Sequence, residues 1–304
     1  MKTNLSAHRY GSGAPPSRSL PSRTAVFVLV FAAGACGTQP LPPPGDRLAS
    51  GERVAAQFIE SHIYVPVTIA GRERLWVLDC GAGGSVIDRE FAEELKLAVT
   101  GDVEAVGASG SVKAGFATVP GLSVGGMDFD SQPMVVLDIA EMMREAIGTA
   151  PAGIIGYDFI SRFVTRIDFA EQSVTFYRPE EFEYRGDGKQ VTMRLAGNIP
   201  TVEMAVDGAG TGWWRLDIGA SVSTFHHQGV LKYRLAELPG VQRVARGVGG
   251  RQRVNWVRLG HAELAGYRVE KPLFSVPLEG AGGALASSNV AGTLGNSVLR
   301  NFSL

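Results

Sequence analysis

Two segments of the same form, 138 residues apart (217 − 79), constrain the fold more than any other feature of this chain. The segment DCGAGGS at residues 79–85 and the segment DIGASVS at residues 217–223 both read Asp-x-Gly-Ala-x-x-Ser. Each follows an apolar run that predicts a buried strand, so each strand carries an aspartate, Asp79 or Asp217, into the interior. The following glycine lets the backbone turn sharply and lets another chain approach closely. A single Asp-x-Gly is common in ordinary turns, but two in matching surroundings indicate a repeated unit.

Two further landmarks repeat in the same order and at nearly the same spacing. Residues 107–110 (GASG) correspond to residues 247–250 (GVGG), and residues 152–156 (AGIIG) correspond to residues 291–295 (AGTLG). The period is far longer than that of a solenoid repeat, so it predicts a duplicated domain. We therefore expect two similar lobes packed about a pseudo-twofold axis, where equivalent residues meet.

Composition and patterning predict that both lobes are mostly β, with few short helices. The chain of 304 residues holds 39 glycines, and its short apolar runs alternate with a period of two. We expect the first lobe over residues 53–178, a charged linker over residues 179–190 and the second lobe over residues 191–304. The second lobe ends opposite residue 165 of the first, which predicts that it lacks the closing hairpin. Within the first lobe, Pro66 predicts an edge strand, because proline has no N–H to donate.

Residues 1–36 have the form of an export signal. A basic region without acids precedes the apolar run at residues 24–35, and small residues lead to Cys36. Ala-Gly-Ala-Cys resembles a bacterial lipobox, which would make Cys36 the lipidated first residue of the mature chain, although ordinary signal cleavage also fits. Residues 37–52 are rich in proline and glycine and indicate a tether. We expect an exported protein on the periplasmic side of the cell envelope, lipid-anchored or otherwise soluble.

Charge and cysteine content argue against several other classes of protein. The formal net charge of −1 gives no indication of nucleic-acid binding. Two cysteines, Cys36 and Cys80, are too few for a disulfide framework, and no Cys/His cluster has zinc-like spacing. The side chains of the adjacent His226 and His227 diverge, so we expect them to be exposed and not to bind a metal. We expect no metal, no cofactor and no membrane contact except through a lipid at Cys36.

Two aspartates that meet on an axis of internal symmetry have a chemical use. Like charges in contact cannot both ionise cheaply, so the pair shares one proton and its apparent pKa values split. The ionised member can take a proton from a water molecule held between the carboxyl groups. The protonated member can donate a hydrogen bond to the carbonyl of a peptide bond. The pattern therefore indicates hydrolysis by general acid–base catalysis, without a metal or a covalent intermediate.

At these residues the chain resembles the pepsin/retropepsin-like aspartic proteases in their bacterial exported form, over roughly residues 55–304. The resemblance implies the acid-protease fold of two closed β-barrel-like lobes, an aspartic endopeptidase activity, an extended peptide or protein substrate, and a monomeric chain. It assigns the catalytic dyad to Asp79 and Asp217. The residues that it implies as support of the catalytic turns are Gly81, Ala82, Gly219 and Ala220. The residues that it implies as substrate-binding flaps are Gly107, Ala108, Ser109, Gly110, Gly247, Val248, Gly249 and Gly250.

The chain departs from the family pattern next to each aspartate. Cys80 and Ile218 stand where the family has threonine or serine, whose hydroxyl hydrogen-bonds across the axis. A thiol is a weak donor and isoleucine has none, so we expect packing to replace this cross-link. Neither flap tip carries an aromatic residue. These departures keep a second hypothesis open, that of a catalytically inactive lipoprotein that binds peptides or scaffolds partners.

Overall fold

The computed structural model describes residues 2–7, 28–29, 51–280 and 282–304. The predicted export signal and tether lie mostly outside these residues, and Cys36 lies outside them. About 50% of the chain is strand and 13% is helix, so the expected mostly-β class with few short helices is confirmed. None of the helices in the described ranges is long and apolar enough to cross a membrane.

The first lobe is built from short strands joined by tight turns. It is preceded by β1 (Lys2–Ala7), β2 (Val28–Leu29) and β3 (Glu52–Val54). Its strands are β4 (Gln57–Ile59), β5 (His62–Ile69), β6 (Arg72–Leu78), β7 (Val86–Asp88), β8 (Thr100–Val106), β9 (Ser111–Val119), β10 (Leu122–Val124), β11 (Met127–Phe129), β12 (Gln132–Leu137), β13 (Gly153–Ile155), β14 (Val164–Asp168) and β15 (Ser173–Tyr177). Its helices are α1 (Arg89–Glu94), α2 (Ala140–Ile147) and α3 (Tyr157–Ile160).

The second lobe repeats this order of elements. Its strands are β16 (Lys189–Ala196), β17 (Ile199–Val206), β18 (Gly210–Leu216), β19 (Ser223–Phe225), β20 (Val241–Gly247), β21 (Gly250–Arg258), β22 (His261–Leu264), β23 (Tyr267–Glu270), β24 (Leu273–Pro277), β25 (Gly292–Leu294) and β26 (Phe302–Ser303). Its helices are α4 (His227–Lys232) and α5 (Asn296–Leu299), with 3-10 turns at Leu235–Glu237 and Gly283–Ala286.

The two lobes have the same sheet topology, strand for strand. The first-lobe sheet runs β11-β10-β5-β6-β13-β7-β12-β9-β8, and the second-lobe order is β23-β22-β17-β18-β25-β19-β24-β21-β20. In each lobe the short strand of the AGIIG or AGTLG segment inserts between two others. β13 is parallel to β6 and antiparallel to β7, and β25 is parallel to β18 and antiparallel to β19. The duplication predicted from the repeated landmarks is thus present in the fold.

A further run of strands joins the lobes, in the order β16-β1-β26-β14-β15-β3. β26 is the second-lobe counterpart of β14, and the two strands pair directly at Asp168 and Ser303. Leu304 adds two backbone hydrogen bonds to Ile167, of 2.8 and 2.7 Å. The described end of the second lobe therefore takes part in the joining sheet. β1 and β2 fall within the segment expected to be an export signal, and the proposed domain boundaries stay a prediction.

The expectation that Pro66 marks an edge strand is wrong. β5 pairs with β6 on one side and with both β4 and β10 on the other. The β4 partners end at Tyr64 and the β10 partners begin at Val67, so Pro66 lies between the two pairings. Its missing N–H therefore costs no ladder hydrogen bond on that side.

The glycine of each AGIIG or AGTLG segment lies against a buried tryptophan. A Cβ atom at Gly153 would lie 2.3 Å from the ring of Trp76, and one at Gly292 would lie 2.3 Å from the ring of Trp214. Trp76 is 0% and Trp214 1% exposed, so neither ring can move aside into solvent. The repeated glycine is thus explained by close packing of β13 and β25 on equivalent core residues.

Replacing Gly153 or Gly292 by alanine is expected to lower the free energy of unfolding by about 1–3 kcal/mol, because the added methyl group overpacks the core. Denaturant unfolding of each variant measures the loss. The matched control is Gly280→Ala, whose Cβ would meet no atom within 4 Å. Unfolding midpoints equal to that of the control would show that the tryptophan contacts are wrongly placed.

Candidate active site

The two aspartates lie at equivalent ends of equivalent strands. Asp79 follows β6 and Asp217 follows β18. The N–H of Asp79 donates to Ile155 O at 2.9 Å, and the N–H of Asp217 donates to Leu294 O at 3.1 Å. Each acid is therefore fixed by the inserted short strand of its own lobe, β13 or β25. This is the local reason why both segments of each repeat are needed to place the carboxyl group.

The carboxyl groups meet across the pseudo-twofold axis. A Cβ at Gly81 would lie 2.3 Å from the carboxyl carbon of Asp217, and a Cβ at Gly219 would lie 2.3 Å from that of Asp79. Each turn glycine thus makes room for the aspartate of the other lobe. The two carboxyl groups therefore lie close together, and each influences the titration of the other. Ala82 and Ala220 line the same cleft beside them.

The surroundings raise the pKa of both carboxyl groups above the ordinary aspartate value. For each of them the largest cause is removal from water, which disfavours the charged form. The negative charge of Asp79 raises the pKa of Asp217 further. The N–H of Gly81 donates to Oδ1 of Asp79 at 2.7 Å, whereas Oδ1 of Asp217 is buried without a hydrogen-bond partner among the described residues. This asymmetry favours Asp79 as the ionised member and Asp217 as the protonated one.

These raised pKa values predict that the carboxyl pair lowers stability as pH rises. An aspartate in the unfolded chain releases its proton near pH 3.9, whereas the folded pair holds a proton to higher pH. Between those limits the folded state binds more protons, so its free energy of unfolding falls with rising pH. Denaturant unfolding over this pH range should show that fall in the parent and a smaller one in Asp217→Asn. The control is Asp102→Asn, which removes an exposed carboxyl group outside the cleft; equal slopes in all three chains would contradict a shared proton.

Hydroxyl groups stabilise both Asp-x-Gly turns in an equivalent way. The Ser85 hydroxyl accepts from the N–H of Gly156 at 3.1 Å and donates to Asp158 at 2.8 Å. In the second lobe the Ser223 hydroxyl accepts from the N–H of Gly295 at 3.0 Å and lies 3.1 Å from the Ser297 hydroxyl. The serine that ends the repeated motif therefore ties each turn to the glycine that ends the AGIIG or AGTLG segment.

Cys80 makes the cross-axis contact that was expected to be lost. Its thiol donates to the carbonyl oxygen of Leu216 at 3.2 Å, so it bonds the strand that leads to Asp217. Ile218, the equivalent residue, is buried and has no donor. The expectation that packing replaces the cross-link is thus wrong for Cys80 and stays a prediction for Ile218. One of the two symmetric hydrogen bonds across the axis is retained.

The predicted flaps meet each other at the cleft. The N–H of Ser109 donates to Val248 O at 3.2 Å, and a Cβ at Gly110 would lie 2.6 Å from Gly249 O. The 3-10 turn at Gly283–Ala286 also contacts the first flap, since the N–H of Ala284 donates to Gly107 O at 2.9 Å. Flap residues that line the cleft are Gly107, Ala108, Ser109, Gly247 and Val248. Flap residues at the tips that do not line it are Gly110, Gly249 and Gly250.

The cleft between the lobes has a volume of about 1210 Å³ and includes both aspartates in its lining. One oxygen of Asp217, Oδ1, is buried and has no hydrogen-bond partner within the described part of the chain. A water molecule or a substrate carbonyl held at the pair would supply that partner. Within the same residues, no group of three or more His, Cys, Asp or Glu side chains could hold a metal ion.

The sequence analysis missed His62, which lines the cleft beside the pair. Its Nδ1 lies 2.9 Å from Glu60 O, so this nitrogen carries the proton. Burial lowers its pKa, although the nearby charge of Asp79 partly opposes this. His62 begins β5 at the position that Ile199 occupies in β17, so comparison of the repeats gave no signal for it.

The expectation that His226 is exposed is wrong. His226 is 0% exposed, and its Nε2 lies 3.1 Å from Thr293 Oγ1. Burial lowers its pKa to about 4, with a further contribution from the charge of Arg215. His226 therefore acts as a neutral polar group in the wall of the second lobe.

The matching family model covers the first of the two repeats. Residues 65–159, which include Asp79, match a family described as aspartyl protease. The resemblance to aspartic proteases expected from the sequence is thereby confirmed.

Solved structures of aspartic proteases are also similar to the chain. A retropepsin-like aspartic protease from Rickettsia conorii is 20% identical, with a TM-score of 0.31, over 42% of this chain and 90% of its own. An aspartic proteinase from Irpex lacteus is 11% identical, with a TM-score of 0.47, over 83% of this chain and 92% of its own. No curated protein matches the chain.

Proposed function

We propose that this chain is an aspartic endopeptidase in which Asp79 and Asp217 activate a water molecule for attack on a peptide bond. The observation that carries the proposal is the close approach of the two carboxyl groups across the axis. Each is enclosed by the glycine of the opposite turn. The aspartyl protease match over residues 65–159 supports the same class of enzyme.

The asymmetry in hydrogen bonding gives each aspartate a role. Asp79, whose charge is stabilised by the N–H of Gly81, accepts a proton from the water molecule as its oxygen attacks the carbonyl carbon. Asp217, whose pKa is raised by burial and by the charge of Asp79, donates a hydrogen bond to the carbonyl oxygen and then transfers its proton to it. The product is a neutral tetrahedral diol. A proton moved from Asp79 to the peptide nitrogen then lets the C–N bond break, and one diol hydroxyl returns its proton to Asp217.

The flaps supply the dry environment that this chemistry needs. The two flaps already touch through Ser109 and Val248, so an entering peptide has to separate them. An extended peptide can then pair its backbone with the flap strands, as an added strand does. Closure over the substrate excludes bulk water and strengthens the interactions of the carboxyl pair.

Incubation of the full mature chain with a peptide library, followed by mass spectrometry, tests the proposal. We expect cleavage of internal peptide bonds at acidic pH, where the pair of carboxyl groups holds one shared proton. We expect loss of cleavage at high pH, where that shared proton leaves. The matched control is the double variant Asp79→Asn and Asp217→Asn. Peptide binding without cleavage at any pH would refute the proposal and leave a peptide-binding role.

We also propose that the chain is exported and anchored by a lipid on Cys36. The basic and apolar character of residues 1–35 and the small residues before Cys36 support this. Incorporation of a labelled fatty acid, lost in Cys36→Ser, is the expected result. A soluble periplasmic chain without the label would overturn the anchor but not the export.

A further inference from the structure

The two walls of the cleft use equivalent strand positions but differ in polarity. In the first lobe Ile154 pairs with both Val77 and Val86, and Val86 pairs with Val135. In the second lobe Thr293 pairs with both Arg215 and Thr224, and Thr224 pairs with Ser275. All eight side chains line the cleft. The four first-lobe residues, all aliphatic, form one side of the cleft, which we call the apolar wall. The four second-lobe residues, one cation and three with hydroxyl groups, form the facing side, which we call the polar wall.

Arg215 dominates the polar wall. It stands two residues before Asp217 on the same strand, so the two side chains project from the same face. Its one hydrogen bond within the described part of the chain is long, 3.4 Å from the Nη1 group to Ala284 O. Its Nε is buried without a partner, and no ion pair within 4.0 Å involves it among the residues the structure describes. A guanidinium remains charged in proteins. Within the described residues, the only carboxyl group whose charge acts on this one is that of Asp217, which does not form an ion pair with it within 4.0 Å.

Outside the aspartate pair, the rest of the cleft lining carries more cations than acids. Near Arg215, His226 is neutral, as described above. Four other cations that line the cleft also form no ion pair in the described ranges: Arg243, Arg258, Lys271 and Arg300. Apart from the aspartate pair, the acids in the lining are Glu60 and Glu270, and Glu270 is already paired with Arg268 at 2.7 Å. The polar wall is thus suited to a ligand group with negative charge.

We infer that the polar wall is a subsite for a carboxylate and the apolar wall a subsite for an aliphatic side chain. The preferred scissile bond then joins an apolar residue to an acidic one. This inference rests on the proposed function for cleavage, but not for binding. A guanidinium recognises a carboxylate through charge-assisted and often bidentate hydrogen bonds. Glutamate or aspartate side chains, or the free C-terminus of a short peptide, can supply that carboxylate.

Matched peptides test the inference on the parent chain. One pair differs only in glutamate or glutamine beside the scissile bond, and a second pair has a free or an amidated C-terminus. We expect kcat/KM to be roughly tenfold to a hundredfold higher for glutamate, as for other hydrogen bonds to charged groups. A preference confined to the free C-terminus would assign the same site to terminal carboxylates. Equal rates in both pairs would overturn the inference, whatever the variants do.

The variant Arg215→Met makes the polar wall resemble the apolar one. We expect it to lose the preference for glutamate over glutamine while it still cleaves a peptide with apolar residues on both sides. The control is Arg234→Met, which removes an exposed, ion-paired arginine outside the cleft and should keep the preference. A preference that persists in Arg215→Met would contradict the role of Arg215.

Binding separates this inference from the proposed function. The variant Asp79→Asn and the labelled glutamate and glutamine peptides give dissociation constants by fluorescence anisotropy. Tighter binding of the glutamate peptide, without cleavage by the parent, would support the subsite and refute the protease. Cleavage by the parent without discrimination, in rate or in binding, would support the protease and refute the subsite. Discrimination should also vanish at low pH, as the glutamate side chain becomes protonated near its pKa of about 4.3.

Discussion

Asparagine in place of Asp79 or of Asp217 is expected to lower kcat/KM for peptide hydrolysis by about 10²–10⁴-fold, the range typical of general acid–base catalysis. An amide cannot accept the proton of the water molecule, and it cannot pass a proton to the substrate carbonyl. Because the proposed mechanism needs both carboxyl groups at once, we expect each single variant to lose nearly as much activity as the double variant. Steady-state cleavage of one chromogenic peptide by the parent, the two single variants and the double variant measures these losses in kcat/KM.

The losses have to be separated from misfolding. Asparagine has the shape of aspartate, so each variant should unfold cooperatively and still bind the peptide in the anisotropy assay. The control Asp102→Asn removes an exposed carboxyl group and should keep parental activity. If either single variant kept parental kcat/KM, its aspartate would have no part in the reaction.

Alanine in place of Gly81 or Gly219 is expected to lower kcat/KM by at least about 10²-fold, as a displacement of 1 Å in an active site can do. The added Cβ would stand 2.3 Å from the carboxyl carbon of the opposite aspartate, a separation that real carbon atoms do not reach. The carboxyl groups or the turns have to move apart. Both aspartates remain present, so this test probes their contact and not their identity.

Peptide cleavage, together with denaturant unfolding of the same chains, measures this second effect. Gly280→Ala is again the control, since its Cβ meets no atom within 4 Å. Full activity in both Gly81→Ala and Gly219→Ala would mean that the carboxyl groups do not approach each other as described.

The sequence predicted the parts of the fold that depend on order and spacing along the chain. The repeated Asp-x-Gly-Ala and AGIIG/AGTLG segments predicted two lobes of one topology, and β6 and β18 end at the expected aspartates. A duplicated unit predicts a meeting of equivalent residues on its axis, so the contact of Asp79 with Asp217 followed from that symmetry.

What the sequence did not show depends on contacts between separate strands. The thiol of Cys80 donates a hydrogen bond to the carbonyl oxygen of Leu216. The two residues are far apart in the sequence, so no local sequence pattern predicts this contact. His62 and His226 break the symmetry of the repeat, so comparison of the halves could not reveal them. Arg215 faces the cleft with Thr293 because β18 and β25 pair in one register, which only the fold defines.

The sheet that joins the lobes could not be predicted from the sequence for the same reason, because it depends on pairing between remote strands. β26 is two residues long, too short for its alternation to predict a strand, and it is held by pairing with β14 and by the hydrogen bonds of Leu304 to Ile167. In the alignment of the two repeats, this segment corresponds to the start of β14. Its partner in the other lobe became evident only from the register.

The most direct test of a shared proton is a carbon-13 NMR titration of the carboxyl groups of Asp79 and Asp217 in the full chain. We expect one of the two carboxyl groups to keep its protonated chemical shift well above pH 3.9, the usual pKa of an aspartate side chain. The pair as a whole should titrate in two separated steps. Two independent titrations, both near that usual value, would contradict it.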